Sequence, residues 1–449
     1  MRVSVVIAAW NGIRDLGLCL DALRAQGYSE LETVVVDNAS SDGSADFVAA
    51  RYPDVCLIRN QANLGFAAAS NQGLRAATGD VLILLNQDTV VQAGCIAALA
   101  QALGDSPAIG MAGGKALYPD GRIQHAGGWV DERGGGSHYG YRQKDEGQFE
   151  QMREVDFVTG AMLAVSKAAY DAIGGLDESF GPAFYEDVDW CYRAREAGFG
   201  VVYAPQAVLM HREASTAADL SHSGMYALHR NRLRFLLKHS PLDRLLQKFL
   251  PEERAWLLGL TEGSEGLIAA VHHACFYHLL HLDEIVAWRV GALGTMPDET
   301  DALARVLLTL LTTVSLRPAL PGMPAGAVNQ QLDTPLDTEI QELRARLGIR
   351  DEGSPPDTRL TGGALATLRR LWHRLSRAAH LLASLPRQAE FNASALHILE
   401  RMSEERSYER QRLDAVLSEY LSEKGREVGE LAQQIRHLRA SLDKLEPSG

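Results

Sequence analysis

Cysteine is scarce. Cys19, Cys56, Cys95, Cys191 and Cys275 are five residues in 449, scattered and without CxxC spacing. That argues against a disulfide framework and against a cysteine-held zinc, and makes a reducing cytoplasm the simplest compartment. Positive charge is in deficit. Lys and Arg number 44 against 57 Asp and Glu, a formal net charge of -13, which speaks against general nucleic-acid binding. Such acidity suits a protein that holds anions through a cation rather than through a field of arginines. Aromatic residues make up only 7%. Long apolar runs are missing as well. Residues 1–7 form too short a run for a signal peptide and read as a folded strand. The best membrane-span candidate, residues 306–316, adjoins Arg305 and has about half of the ~20 residues a bilayer requires. It reads as a buried helix, so the expectation is a cytoplasmic protein, soluble or peripheral at the inner face of the cell membrane.

What remains is ordinary globular composition, 46% hydrophobic and 22% charged, in a chain long enough for two or three domains. The first 105 residues alternate strand and helix. Apolar or β-branched runs at 3–8, 33–36, 55–58 and 81–85 are followed by helical spacing at 16–23, 45–51, 67–77 and 96–103. Strands apolar throughout, each followed by a helix, indicate a parallel sheet covered on both faces. Residues 109–165 gain glycine and aromatics and read as strands and loops. Helices follow at 168–173, 186–197 and 225–238. Beyond 240 the chain reads almost wholly helical. The expected domains are 1–240, 241–350 with a Pro-rich linker at 317–335, and 358–449. Near the end the spacing is heptad-like. Val428, Leu431, Ile435, Leu438, Leu442 and Leu445 keep a 3-4 pattern, which predicts a C-terminal coiled coil that sets a homo-oligomer or binds a partner coil. A basic helix at 368–385 packs on that coil or lies on an anionic membrane surface.

In open α/β sheets, ligands sit at the carboxyl ends of the strands. Three strand ends here are polar. The first runs into Asn11 and Gly12, the second ends at Asp37, and the fourth runs into Asn86, Gln87 and Asp88. A carboxylate there can hold a hard divalent cation, which takes oxygen ligands; alternatively Asp88 caps the next helix. Asn63 and Asn71 add amides along the following helix start. Further on, Glu186, Asp187 and Asp189 crowd one helix start beside Tyr185 and Trp190. Three carboxylates so close repel unless a cation, the helix N-terminus or solvent compensates. A carboxylate there can deprotonate a hydroxyl, and the two aromatics suggest a sugar-stacking wall. His211 follows another short strand.

Seven stretches in order carry a resemblance: VSVVIAAWNG (3–12), VVVDNASSDGS (34–44), NLGFAAASNQGLRAATGDVLILLNQDT (63–89), YPDGRIQHAGG (118–128), VTGAMLAVS (158–166), GGLDESFGPAFYEDVDWCYRAREAGF (174–199) and HREAST (211–216). Together they resemble family 2 glycosyltransferases of the GT-A fold, above all the bacterial rhamnosyltransferase-like branch, over residues 1–240. The resemblance implies an α/β fold with a Rossmann-like mixed sheet and helices on both faces. It implies an inverting transfer of a sugar from a dTDP- or UDP-sugar to a glycan or polyprenyl-linked acceptor in cell-surface polysaccharide synthesis, with rhamnose favoured because YPDGRIQHAGG resembles a segment typical of rhamnosyl transfer. Asn86, Gln87 and Asp88 match the metal-binding DxD motif with Asn in first place, so Asp88 would hold manganese or magnesium and His211 would touch metal or diphosphate. Asp37 matches the nucleotide contact, with Asn11, Asn63 and Asn71 beside it. Asp187 matches the general base, supported by Glu186, while Tyr185 and Trp190 would face acceptor and sugar. Two alternatives stand beside it. One is a nucleotidyltransferase, which wants a basic Gly-rich loop where Ala9, Trp10, Asn11 and Gly12 stand. The other is a non-catalytic nucleotide-sugar-binding scaffold assembled through its coiled coil.

Overall fold

The computed structural model describes residues 1–212, 222–261, 263–293 and 299–315. Contacts divide the chain into a unit from Met1–His239 and a second from Ser240 onward.

The first unit opens with β1 (Val3–Ala9), α1 (Ile13–Arg24), β2 (Leu31–Asp37), α2 (Ser44–Arg51), β3 (Cys56–Arg59), α3 (Phe66–Ala76) and β4 (Val81–Leu85). Strands β3, β2, β1 and β4 lie side by side and parallel. Each expected strand and helix of this stretch is present within a few residues. The reason is visible in burial. Every residue of β4 is buried, as a strand covered on both faces must be. In α1, Leu16, Cys19, Leu20 and Leu23 recur at threes and fours and form its buried face. Fully burying a side chain of that size contributes about 1.5–3 kcal/mol. Gly73 lets α3 settle on the sheet, because a Cβ there would stand 2.3 Å from Val6.

After β4 the chain makes β5 (Thr89–Val91), α4 (Cys95–Gly104), β6 (Ile109–Leu117), β7 (Ile123–His125), β8 (Gly128–Val130), β9 (Gly136–His138), β10 (Arg153–Glu154) and β11 (Met162–Ser166). It continues through α5 (Lys167–Ile173), α6 (Glu186–Glu196), β12 (Gly200–His211) and α7 (His222–His239). The sheet order is β10-β12-β6-β11-β4-β1-β2-β3, with β5 on β12 and β7 on β6. Strand β11 runs antiparallel between β4 and β6, so the sheet is mixed α/β with one parallel half. Helix α5 is capped by Ser166, whose hydroxyl accepts from the Ala169 N–H.

Two placements matter for the sheet edge. Asp88 does not cap a helix: it precedes β5, and α4 starts only at Cys95. The antiparallel pairing of β12 with β5 sets His211 opposite Thr89, next to Asp88.

In the second unit, the described residues after Pro241 are largely helical. Helix Glu299–Ser315 buries Leu303, Val306, Leu307, Leu310 and Leu311, again at threes and fours. Arg289 is ion-paired with Glu299 at 2.8 Å. Among the described residues no helix is long and apolar enough to cross a membrane. The Pro-rich stretch 317–335, the basic helix expected at 368–385 and the heptads near the C-terminus lie outside the described residues, as do residues 213–216 of the HREAST stretch.

Candidate functional site

The carboxyl ends of β1, β2 and β4 share one edge because those strands are parallel, and the start of antiparallel β11 meets the end of β4 there. Hydrogen bonds knit the loops along this edge. Gln87 accepts from the Trp10 N–H at 3.0 Å and donates to the Trp10 carbonyl at 3.0 Å. Gly12 makes room for that clasp, since a Cβ would lie 2.5 Å from the Gln87 amide. Asn11 donates its N–H to Ser40 and accepts from the Ser41 N–H. Asn38 donates to Asn63 at 2.8 Å and accepts from the Leu64 N–H. Asn11 and Asn63 therefore shape the loops around Asp37.

Asp37 ends β2. Its Oδ2 accepts from the Ser40 N–H at 3.2 Å, while its Oδ1 is buried and meets no donor of the protein. A buried unmatched acceptor is costly, and a ligand hydroxyl or N–H would satisfy it. Asn11 and Ala39 beside these strand ends, and Phe184 and Tyr185 before α6, all take positive φ, between 47° and 77°. Non-glycine residues held there store strain, which collects at binding sites.

His211 Nε2 lies 3.3 Å from Asp88 Oδ1, with Asn86 Nδ2 at 3.5 Å from the same nitrogen. The other ring nitrogen, Nδ1, lies 2.7 Å from Gln124 Oε1, so it carries the proton and donates. In a neutral ring Nε2 then turns a lone pair toward a carboxylate oxygen. Two acceptors so placed are stable with a proton or a cation between them. Carboxylate and imidazole suit a divalent ion, and Gln124 orients the imidazole as outer-shell partners of metal ligands do. Among the described residues no three His, Cys, Asp or Glu side chains form a cage. This donor set fits an ion that ligand oxygens complete.

The acidic helix start divides. Asp187 Oδ2 accepts from the Gly160 N–H at 2.7 Å and Oδ1 from the Val188 N–H at 2.8 Å. Next to Gly160, the Ala161 carbonyl accepts from the Asn86 N–H, so Asp187 hangs from the segment hydrogen-bonded to the Asn86–Asp88 loop. Burial raises its pKa, and the backbone donors oppose that rise. Glu186 is pushed up to about 8 by burial and then by the Asp187 charge, and its buried Oε2 meets no partner. The backbone donors favour the anion on Asp187, so a proton shared by the pair sits more readily on Glu186. Asp189 points elsewhere. Burial alone would raise its carboxyl, but Arg193, Lys238 and His239 hold it well below the usual range.

Three residues expected at the site are placed otherwise. Trp190 is 0% exposed and donates its indole N–H to the Gly174 carbonyl, so it has no face to offer a sugar. Tyr185 is buried against Phe235 and donates its hydroxyl to the Gly134 carbonyl at 2.6 Å. Asn71 is buried, with its amide taken up by the backbone of Leu176 and by Glu178, clamping the 176–178 turn instead of meeting a nucleotide.

A cavity of about 470 Å³ opens beside His211, lined by Gln124, His125, Trp129, Ser137, His138, Tyr141 and Thr159 among others. None of Asp37, Asp88 and Asp187 lines it. Sequence reasoning singled out none of these seven side chains, although Gln124 and His125 sit inside the YPDGRIQHAGG stretch. That stretch carries the signal, but its resemblance speaks to the donor sugar and does not single out side chains.

The model of the family described as "Glycosyltransferase like family 2" matches residues 1–234. An uncharacterised protein of Sinorhizobium fredii is 31% identical over 224 residues, 48% of this chain and 25% of that protein. N-acetylglucosaminyl-diphospho-decaprenol L-rhamnosyltransferase of Mycobacterium tuberculosis is 30% identical over 264 residues, 53% of this chain and 85% of its own. An O-antigen biosynthesis protein of Myxococcus xanthus is 28% identical over 229 residues, 49% of this chain and 18% of its own. The chain thus spans most of the mycobacterial relative and a quarter or less of the other two.

Proposed function

The chain belongs to glycosyltransferase family 2, and on that premise we propose that it moves a sugar, rhamnose first, from a nucleotide-diphosphate carrier to a glycan or polyprenyl-linked acceptor with inversion at the anomeric carbon. The observation that carries this reading is the Asp88–His211 pair at the same sheet edge as Asp187. The rhamnosyl preference draws on the mycobacterial relative's activity and on the YPDGRIQHAGG stretch.

In this reading each residue has one task. Asp37 and the Asn11 loop hold the nucleoside, with Asp37 Oδ1 taking a ligand donor. Asp88 and His211 would hold a manganese or magnesium ion, which when bound neutralises the charge gathering on the leaving diphosphate. Asp187 is the base. Its two backbone donors favour its anion and aim it, and it takes the acceptor hydroxyl proton as the oxygen attacks. Glu186, protonated beside it, adds no second charge. Positioning and fixed dipoles lower the barrier, since one displacement requires one base.

The test is a thermal-shift panel of UDP-, dTDP- and GDP-sugars with manganese, followed by transfer assays on whichever stabilises the chain. Ligand that binds the folded state raises the melting temperature by mass action. A dTDP-sugar that stabilises the chain and is turned over supports the reading; a panel with no stabilising member contradicts it.

A further inference from the structure

Two histidines of the cavity form a relay with a readable direction. His125 ends β7 and His138 ends β9, with their Nδ1 atoms 2.7 Å apart and ring planes at 74°. The Thr159 N–H points at His125 Nε2 from 3.3 Å. A backbone N–H can only donate, so His125 Nε2 accepts and its ring proton sits on Nδ1. That proton points at His138 Nδ1, which must accept in turn. The His138 proton is then confined to Nε2. Burial holds both rings below their ordinary pKa, His138 at about 4 and His125 well below its usual range, with neighbouring His138 and Arg153 also opposing a charge on His125. The His138 ring makes no other hydrogen bond among the described residues. It is held edge-on by Phe157 and tilted against Tyr141.

The cavity beside it has the make-up of a small-molecule site: aromatic walls with a few fixed polar groups. Trp129 is 37% exposed and Tyr141 47%, so both keep ring surface for a ligand. The floor includes His211, which faces Asp88, and Thr159, which adjoins the Gly160 that holds Asp187. A group attached to a diphosphate held by Asp88 and His211 would lie next to this space, because His211 belongs to both.

We propose that the His125–His138 pair is a tautomer-locked hydrogen-bond donor that reads a hydroxyl of the transferred pyranose, with Trp129 as the wall against which the ring lies. This rests on the glycosyltransferase reading and adds the donor-sugar subsite to it. The Thr159 amide fixes the tautomer, so the donor is set before the sugar arrives and needs no reorganisation on binding.

The experiment is calorimetric titration of the full chain in manganese with the nucleotide sugar that the panel selects and with its nucleotide diphosphate alone. His138→Phe keeps ring packing and removes the Nε2–H; His138→Gln keeps a donor. Losing one such hydrogen bond should weaken the nucleotide sugar about fivefold to tenfold and leave the free nucleotide diphosphate unchanged, with His138→Gln recovering part of the loss. Equal weakening of both ligands, or of neither, overturns the proposal, as does an effect confined to the acceptor's KM. A wild-type chain that binds no nucleotide sugar overturns the functional reading and the subsite with it. Nitrogen-15 spectra of the imidazoles test the relay by themselves. Nδ1–H on His125 with Nε2–H on His138 is expected, and the reverse assignment contradicts it.

Discussion

Glu186 and Asp187 are neighbours in sequence with unlike surroundings. Asp187 takes two backbone N–H donors and Glu186 Oε2 takes none, so a negative charge on the pair is favoured on Asp187. The sign of the stability effect follows. Glu186 has a folded pKa of about 8, above its ordinary 4.5. Its contribution to folding is complete below the ordinary value and is lost as pH rises through about 8. Glu186→Gln is therefore expected to melt with wild type at pH 4 and above it at pH 9, measured by scanning calorimetry at both. Turnover should fall as pH drops through the raised Asp187 value, because protonation would remove the proposed base. Asp187→Asn should cost roughly 10²–10⁴ in kcat with nucleotide affinity retained, which single-turnover and titration measurements separate. The third acid of this run shows what spacing conceals. Asp189 lies about 200° around the helix from Asp187 and faces the buried Lys238 and His239. Nothing in the letters says which face turns inward, and for the same reason Trp190 reads as a sugar platform and proves to be core.

The elements were legible where burial leaves a period. Strand β4 is apolar throughout, and so are Val5–Ala9 of β1 and Val34–Val36 of β2, because helices cover both faces, while α1 repeats its apolar residues at threes and fours. Strands β7, β8 and β9 have three residues each, too short for any period to emerge, so the cavity they line leaves no pattern in the sequence. Partners distant in sequence were equally hidden. Lys238 on α7 reaches Asp177 at 2.7 Å and also binds Asp189 at the buried side of α6. This knot fixes α6, and hence the position of Asp187. Lys238→Met would leave buried carboxylates short of their cation. Removing one partner of a buried pair costs about 3–5 kcal/mol, so the urea midpoint should fall markedly and Asp187-dependent turnover with it. A midpoint equal to wild type would show that the knot does not stabilise the fold.

At the scale of the whole molecule, a chain with a net charge of -13 binds a doubly charged diphosphate only where something local reverses the sign. The sheet edge supplies two groups suited to a cation, Asp88 and His211, brought together by β12 pairing with β5. The resemblance located Asp88 and His211 in the sequence; their contact is tertiary, 123 positions apart in numbering. The deciding measurement is calorimetric titration of dTDP or UDP into wild type, Asp88→Ala and Asp187→Asn, each with manganese and with chelator. Wild type and Asp187→Asn should bind only with manganese, and Asp88→Ala should bind weakly in both conditions. Tight binding by wild type in chelator, or by Asp88→Ala with manganese, would contradict a cation-held diphosphate at this edge.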